Sequence, residues 1–123
     1  MKVISTDKAP AAIGPYSQAI VSGGMVYTSG QIAIDPATGA VVSGGIEEQT
    51  EQVCRNIEQL LKAAGTDIGR VVKTVCFLAD MGDFAAFNAV YEKHFVSKPA
   101  RSCVAVRTLP KNVLVEIDTV TEV

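Results

Sequence analysis

The stretch 71-VVKTVCFLADMGDFAAFNAVYEKHF-95 changes its apolar period once. Val71 to Leu78 is β-branched and largely apolar, which predicts a strand with much of its surface covered. Near Asp83, a residue suited to cap a helix, the period changes. Phe84, Phe87, Tyr91 and Phe95 then fall on one helical stripe. Two strand candidates follow, "RSCVAVRT" and "VLVEIDTV", separated by "LPKN". Read as a hairpin through "LPKN", they close the sheet.

Toward the amino terminus, "VIS" is a short strand candidate and "KAPAAIGPYS" a loop broken by proline and glycine. "QAIVSGGMVYTSGQIAI" reads as two β-rich runs joined through Ser22, Gly23 and Gly24, since glycine tolerates the positive φ of a tight hairpin. "DPATGA" makes a further turn. From Ile46 to about Ala64, Ile46, Val53, Ile57, Leu60, Leu61 and Ala64 recur at helical spacing. Glu47 and Glu48 stand in the first turn, where the helix dipole favours them, and Gly65 stops the helix. The order β-β-β-α-β-α-β-β predicts an α+β fold in which one mixed sheet carries two helices on one face.

The 123 residues suit one domain spanning 1–123, with a hydrophobic fraction of 48% and no biased tract. A net charge of −2 without a basic cluster disfavours nucleic acid as a partner. The start, "MKVISTDKAP", lacks the apolar run of a signal peptide, and no later stretch is long enough to span a bilayer, so no membrane partner is expected and the location expected is cytoplasmic. Cys54, Cys76 and Cys103 show no C-x-x-C spacing, which suggests reduced thiols. His94 is the sole histidine, so paired-histidine metal sites are excluded and no metal is expected.

Period-two reading of the last strands puts Val113, Val115 and Ile117 on one side and Leu114, Glu116, Asp118 and Val120 on the other. Arg101, Cys103, Ala105 and Arg107 oppose Ser102, Val104 and Val106 in the same way. A sheet covered by helices on one side leaves the other face mixed, apolar and charged. Association with copies of the same chain would cover it. With a hairpin through "LPKN", Arg101, Cys103 and Glu116 share that face, Glu116 opposite Ala105 and Arg101 about 13 Å farther along. An arginine fork could there grip a small carboxylate while Glu116 holds or deprotonates water. The same residues also suit a cross-strand ion pair. Cys103 suits a small core residue, Asn88 a satisfied core amide, and Tyr16, Ser29 and Gly30 plain turn-making. "GRVVK" lacks the spacing of a phosphate-binding loop.

Five collinear motifs, "KAPAAIGPYSQAI", "TSGQI", "VKTVCFLADMGDFAAFNAVYEKHF", "PARSCVAV" and "LPKNVLVEIDTV", cover nearly the whole chain and resemble the RidA family of reactive imine deaminases, also called the YjgF family. The resemblance implies a chorismate-mutase-like fold and a homotrimer with sheets inward, helices outward and ligand clefts between subunits. It implies hydrolysis of 2-imino acids and their enamine tautomers (2-aminoacrylate, 2-iminopropanoate, 2-iminobutanoate) to 2-oxo acids and ammonia, with no cofactor. Those substrates are released by pyridoxal-phosphate dehydratases acting on serine or threonine. By position in the motifs, Arg101 clamps the carboxylate and Glu116 orients or activates water. The backbone amide of Cys103 helps bind ligand, and Tyr16, Ser29, Gly30 and Asn88 line the cleft. A non-catalytic trimer that binds 2-oxo acids or related small carboxylates is one alternative; the ribonuclease or translation-inhibitor activity attributed to some relatives is another, disfavoured by the acidic balance and the missing basic stripe. One departure from the family pattern stands out: only "VSK" separates Phe95 from Pro99, where many members carry a longer segment with an apolar residue before the proline.

Overall fold

A computed structural model describes residues 1–123. Strands β1 (Lys2–Ile4), β2 (Ala19–Ser22) and β3 (Met25–Thr28) precede helix α1 (Ile46–Ala63). Strand β4 (Val71–Leu78), helix α2 (Phe84–His94), β5 (Ala100–Ala105) and β6 (Val115–Glu122) complete the chain. The expected β2–β3 hairpin is present, with Gly23 and Gly24 at φ of 58° and 77° in its turn. Asp83 occupies the position before α2 but makes no side-chain cap. The capping carboxylate is that of Asp80, which accepts from the Gly82 amide at 2.7 Å and shapes the preceding short turn.

The six strands form one sheet in the order β1-β2-β3-β6-β4-β5. This corrects the hairpin expected through "LPKN". β5 runs parallel to β4 at the sheet edge, whereas β6 inserts between β3 and β4, antiparallel to both. The physical reason lies in the opening stretch, because a strand, an apolar-striped helix and a second strand make a crossover unit whose strands pair in parallel. Glu116 therefore stands opposite Phe77, not Ala105, and Ala105 pairs with Leu78.

Both helices cover one face. Val53, Cys54, Ile57 and Leu61 of α1 and Phe87 and Tyr91 of α2, continued by Phe95, pack on Ile4, Ala19, Val26, Cys76, Leu78, Val115 and Ile117. Each large apolar side chain fully buried here contributes about 1.5–3 kcal/mol. His94 ties the two helices together, its Nε2 lying 2.5 Å from Glu51 and its Nδ1 3.3 Å from Glu58. The lone histidine is a brace between helices.

The other face carries no helix, and loops of the chain wall it only around Glu116. One row crosses all six strands, Val3, Ile20, Tyr27, Val120, Lys73 and Ala100. Two shorter rows follow, Asp118–Val75–Ser102 and Glu116–Phe77–Val104. Val3, Val104 and Tyr27 are 59%, 49% and 47% exposed, a large apolar surface for a sheet left in water. No helix is long and apolar enough to cross a membrane.

Candidate functional site: two half-sites on opposite faces

Register separates the two residues that the sequence suggests as partners. Arg101 pairs with Thr74, a residue of the helix-covered face, while Glu116 pairs with Phe77, three positions along β4 and hence on the open face. The alternation of side chains on β5 is as expected, but its assignment to faces is reversed. Arg101 and Cys103 face the helices; Ser102 and Val104 face outward. Within one chain Arg101 and Glu116 point away from each other, which removes both the intrachain clamp and the cross-strand ion pair.

Arg101 belongs to α2. Its Nη1 donates to Asn88 Oδ1 at 2.7 Å, and its guanidinium carbon lies 4.8, 5.4 and 5.9 Å from the ring centres of Tyr91, Phe84 and Phe87. Aromatic faces attract the cation and pin its plane. Tyr91 is fixed in turn by a 2.7 Å hydrogen bond between its hydroxyl and that of Thr74, with Phe95 stacked on it at 4.4 Å. The stripe read as a helical core face is thus also the seat of Arg101, and Asn88 is its amide anchor. No carboxylate forms an ion pair with the guanidinium. Arg101 also lines a cavity of about 600 Å³ together with Asn88, Tyr91, Glu92, Lys98 and Pro99 among others.

The outer edge of β5 adds backbone donors. Val106 donates to the Leu78 carbonyl, so alternation turns the N–H groups of Arg101, Cys103 and Ala105 away from β4. The Cys103 amide is therefore open, while its thiol sits beside Cys76 on the covered face. Burial pushes that thiol's pKa up and outweighs the lowering by Arg101. A protonated thiol is a poor nucleophile.

Glu116 sits on the open face in a second cavity, of about 340 Å³, walled by Ile13, Tyr16, Gly30, Ile32, Pro110 and Lys111 among others. The chain leaves β3 and meets β6 again where Gln31 and Ile117 exchange backbone hydrogen bonds of 2.8 and 3.1 Å. This lays Gly30 under the carboxylate. A β-carbon at Gly30 would come within 2.8 Å of Glu116 Cδ and 3.1 Å of its Cγ, so glycine leaves the space that the acid fills. Burial, and then the neighbouring charge of Asp118, raise the Glu116 pKa; burial raises that of Asp118. A carboxylate so placed holds a proton more readily than one in water.

Of the remaining residues, Tyr16, Gln18 and Lys111 line the acid's cavity, whereas Ser29 does not. Tyr16 lines the acid's cavity, and its hydroxyl accepts from the Ile13 amide at 3.3 Å. Ser29 instead spends its hydroxyl on the Ser17 carbonyl at 2.5 Å, which staples the Tyr16 loop to the end of β3. Gln18, unremarked in the sequence, brackets the same loop: its amide accepts from Thr6 N and donates to the carbonyls of Thr6, Ala9 and Pro10. A polar residue at a strand start carries no periodic signal that would have marked it. Lys111 and Asn112, in the segment expected to be a hairpin turn, both adopt φ of 55° and bring Lys111 to the wall beside Glu116.

Comparison with known proteins agrees with this architecture. The family described as Endoribonuclease L-PSP matches residues 6–123. A 2-iminobutanoate/2-iminopropanoate deaminase of Salmonella typhimurium is 48% identical over 123 residues, covering 97% of this chain and 95% of that protein. The mouse protein of the same name is 49% identical, covering 97% and 89%. A RutC family protein of Pyrococcus horikoshii is 51% identical, covering 97% and 95%. Among solved structures, RidA of an Antarctic Psychrobacter superposes with a TM-score of 0.95 at 43% identity over 100% of both chains. Escherichia coli TdcF with bound serine gives 0.94 at 39% identity, over 100% of this chain and 99% of that one. The chain belongs to the Endoribonuclease L-PSP family, in which the RidA proteins stand.

Proposed function

We propose that this member of the RidA family hydrolyses reactive 2-imino acids to 2-oxo acids and ammonia, in clefts that form only where two subunits of a homotrimer meet. One observation carries the reading: Arg101 and Glu116 are each held in a built cavity, yet lie on opposite faces of one sheet. A ring of three copies buries the open faces and sets the β5 edge of one subunit against the Glu116 cavity of the next. Arg101, with the Cys103 amide, then faces Glu116, Tyr16 and Gly30 of its neighbour.

The chemistry needs a held carboxylate and a held water. Arg101 binds the substrate carboxylate through two parallel N–H donors. The enamine tautomer first takes a proton from solvent at carbon to give the iminium. Glu116 accepts a proton from water as its oxygen bonds to the iminium carbon, forming a carbinolamine. The protonated Glu116 returns that proton to the amine nitrogen; the C–N bond breaks to release ammonia, which takes the hydroxyl proton, and 2-oxo acid and ammonium leave. A carboxyl with a raised proton affinity suits both strokes. A non-catalytic binder of 2-oxo acids would use Arg101 alike but not need Glu116.

The test generates 2-iminopropanoate and 2-iminobutanoate in situ and traps what survives with semicarbazide. Wild-type protein should deplete the imine; Arg101→Ala should lower kcat/KM by about 10³-fold, the cost of losing a charge-assisted fork that the proposed cleft encloses. Glu116→Gln should stop turnover while sparing 2-oxobutanoate binding. An imine lifetime that wild type leaves unchanged overturns the hydrolase reading.

A further inference from the structure

Three non-glycine residues have left-handed backbone, Lys98 at φ 49°, and Lys111 and Asn112 at 55°. That conformation is unfavourable for a residue with a β-carbon, and less so for asparagine. Lys98 also precedes Pro99, whose ring narrows its backbone further. Lys98 is exposed, its backbone N–H donating to the Phe95 carbonyl at 3.1 Å, and a rarely populated backbone conformation is a reason to look for a use. Lys98 lines the same cavity as Arg101.

Both cations there lack an ion-pair partner. The ion pairs of the chain join Arg55 to Glu51, Arg70 to Glu122, and His94 to Glu51 and Glu58. Glu92, an exposed residue of α2, is the one carboxylate on the cavity wall and pairs with neither cation. A substrate with one carboxylate satisfies Arg101 and leaves Lys98 over. The cavity, at about 600 Å³, is also far larger than a three-carbon acid fills.

We propose that Lys98 is a specificity determinant whose ammonium attracts a second, distal anionic group, so that the site favours 2-imino diacids, the imines of acidic amino acids, over imines with neutral side chains. This rests on the hydrolase reading above. Arg101 holds the α-carboxylate, Lys98 the distal one, and Glu92 opposes the preference.

The test compares kcat/KM for 2-iminoglutarate and 2-iminobutanoate, both made in situ, in wild type, Lys98→Asn, Lys98→Arg and Glu92→Gln. Asparagine removes the cation while tolerating the left-handed backbone. Wild type should favour the diacid. Lys98→Asn should lower the diacid-to-neutral ratio about fivefold, the scale of a partly solvated charge pair; Lys98→Arg should keep it and Glu92→Gln raise it. A wild type that prefers the neutral imine, or a ratio that Lys98→Asn leaves unmoved, overturns the proposal. If wild type hydrolyses neither imine, the hydrolase reading fails, and calorimetric binding of 2-oxoglutarate against 2-oxobutanoate still decides the role of Lys98. The same fivefold loss of preference in Lys98→Asn supports it; equal ratios overturn it.

Discussion

The cation and the acid are held by different means. Arg101 is seated by surplus: three aromatic rings, an amide and a buried hydroxyl pair, all supplied by one helix and the strand beneath it. Glu116 is seated by a vacancy, the missing β-carbon of Gly30, on the face that the helices leave bare. Surplus fixes orientation against thermal motion, whereas a vacancy only permits a position. In the proposed reaction the guanidinium presents a plane to a carboxylate, and the carboxylate moves a proton without leaving its place.

The contrast breaks most visibly at Gly30. Gly30→Ala puts a methyl into the carboxylate and should lower kcat about 10²-fold, with a far-UV spectrum like wild type, because an ångström of displacement is enough to lose alignment. A kcat within twofold of wild type would show that the vacancy does not set the acid's position. Next is Tyr91→Phe, which keeps the ring beneath Arg101 but leaves the buried Thr74 hydroxyl with only the weak thiol donor of Cys76 at 3.8 Å. Chemical denaturation should show a loss of about 1–2 kcal/mol. Tolerance of both changes would mean that the two halves are built alike.

The smallest effect concerns pH. Burial and Asp118 raise the folded-state pKa of Glu116 above its unfolded value, so the folded state binds its proton more tightly. The stability this gives is full below the unfolded pKa and lost as pH rises through the folded one. Glu116→Gln should therefore melt slightly above wild type at pH 7, and the difference should vanish below about pH 4, where an unfolded glutamate is itself protonated. A lower melting temperature at pH 7 would mean that ionised Glu116 is stabilised by groups around it.

How far the fold was legible follows from what period and turn chemistry encode. The Gly23–Gly24 hairpin, the long helix to Ala63 and the alternation of side chains along β5 and β6 are local properties, and they stand as read. Pairing partners are not local. "LPKN" has the composition of a hairpin turn, yet Lys111 and Asn112 take left-handed conformations in a longer connection, and the crossover from β4 through α2 claims β5 instead. A hairpin through "LPKN" would put Arg101 on the open face, and the β4–β5 pairing puts it on the covered one, since parity tells which residues share a side but not which side is covered. Asn88 and the aromatic stripe were visible as a helix face, but their hold on Arg101 appears only once β5 lies beside β4.

Mixed assemblies test the central claim most directly. Arg101→Ala and Glu116→Gln are each expected to be inactive, because each removes one half of every cleft. Dissociated, mixed in equal amounts and reassembled, they should recover about one quarter of wild-type activity, since a cleft works only when its arginine comes from one variant and its glutamate from the other, about one half times one half in a random ring. Activity that stays at the level of the separate variants, in assemblies shown by mass spectrometry to be mixed, would contradict a site shared between subunits.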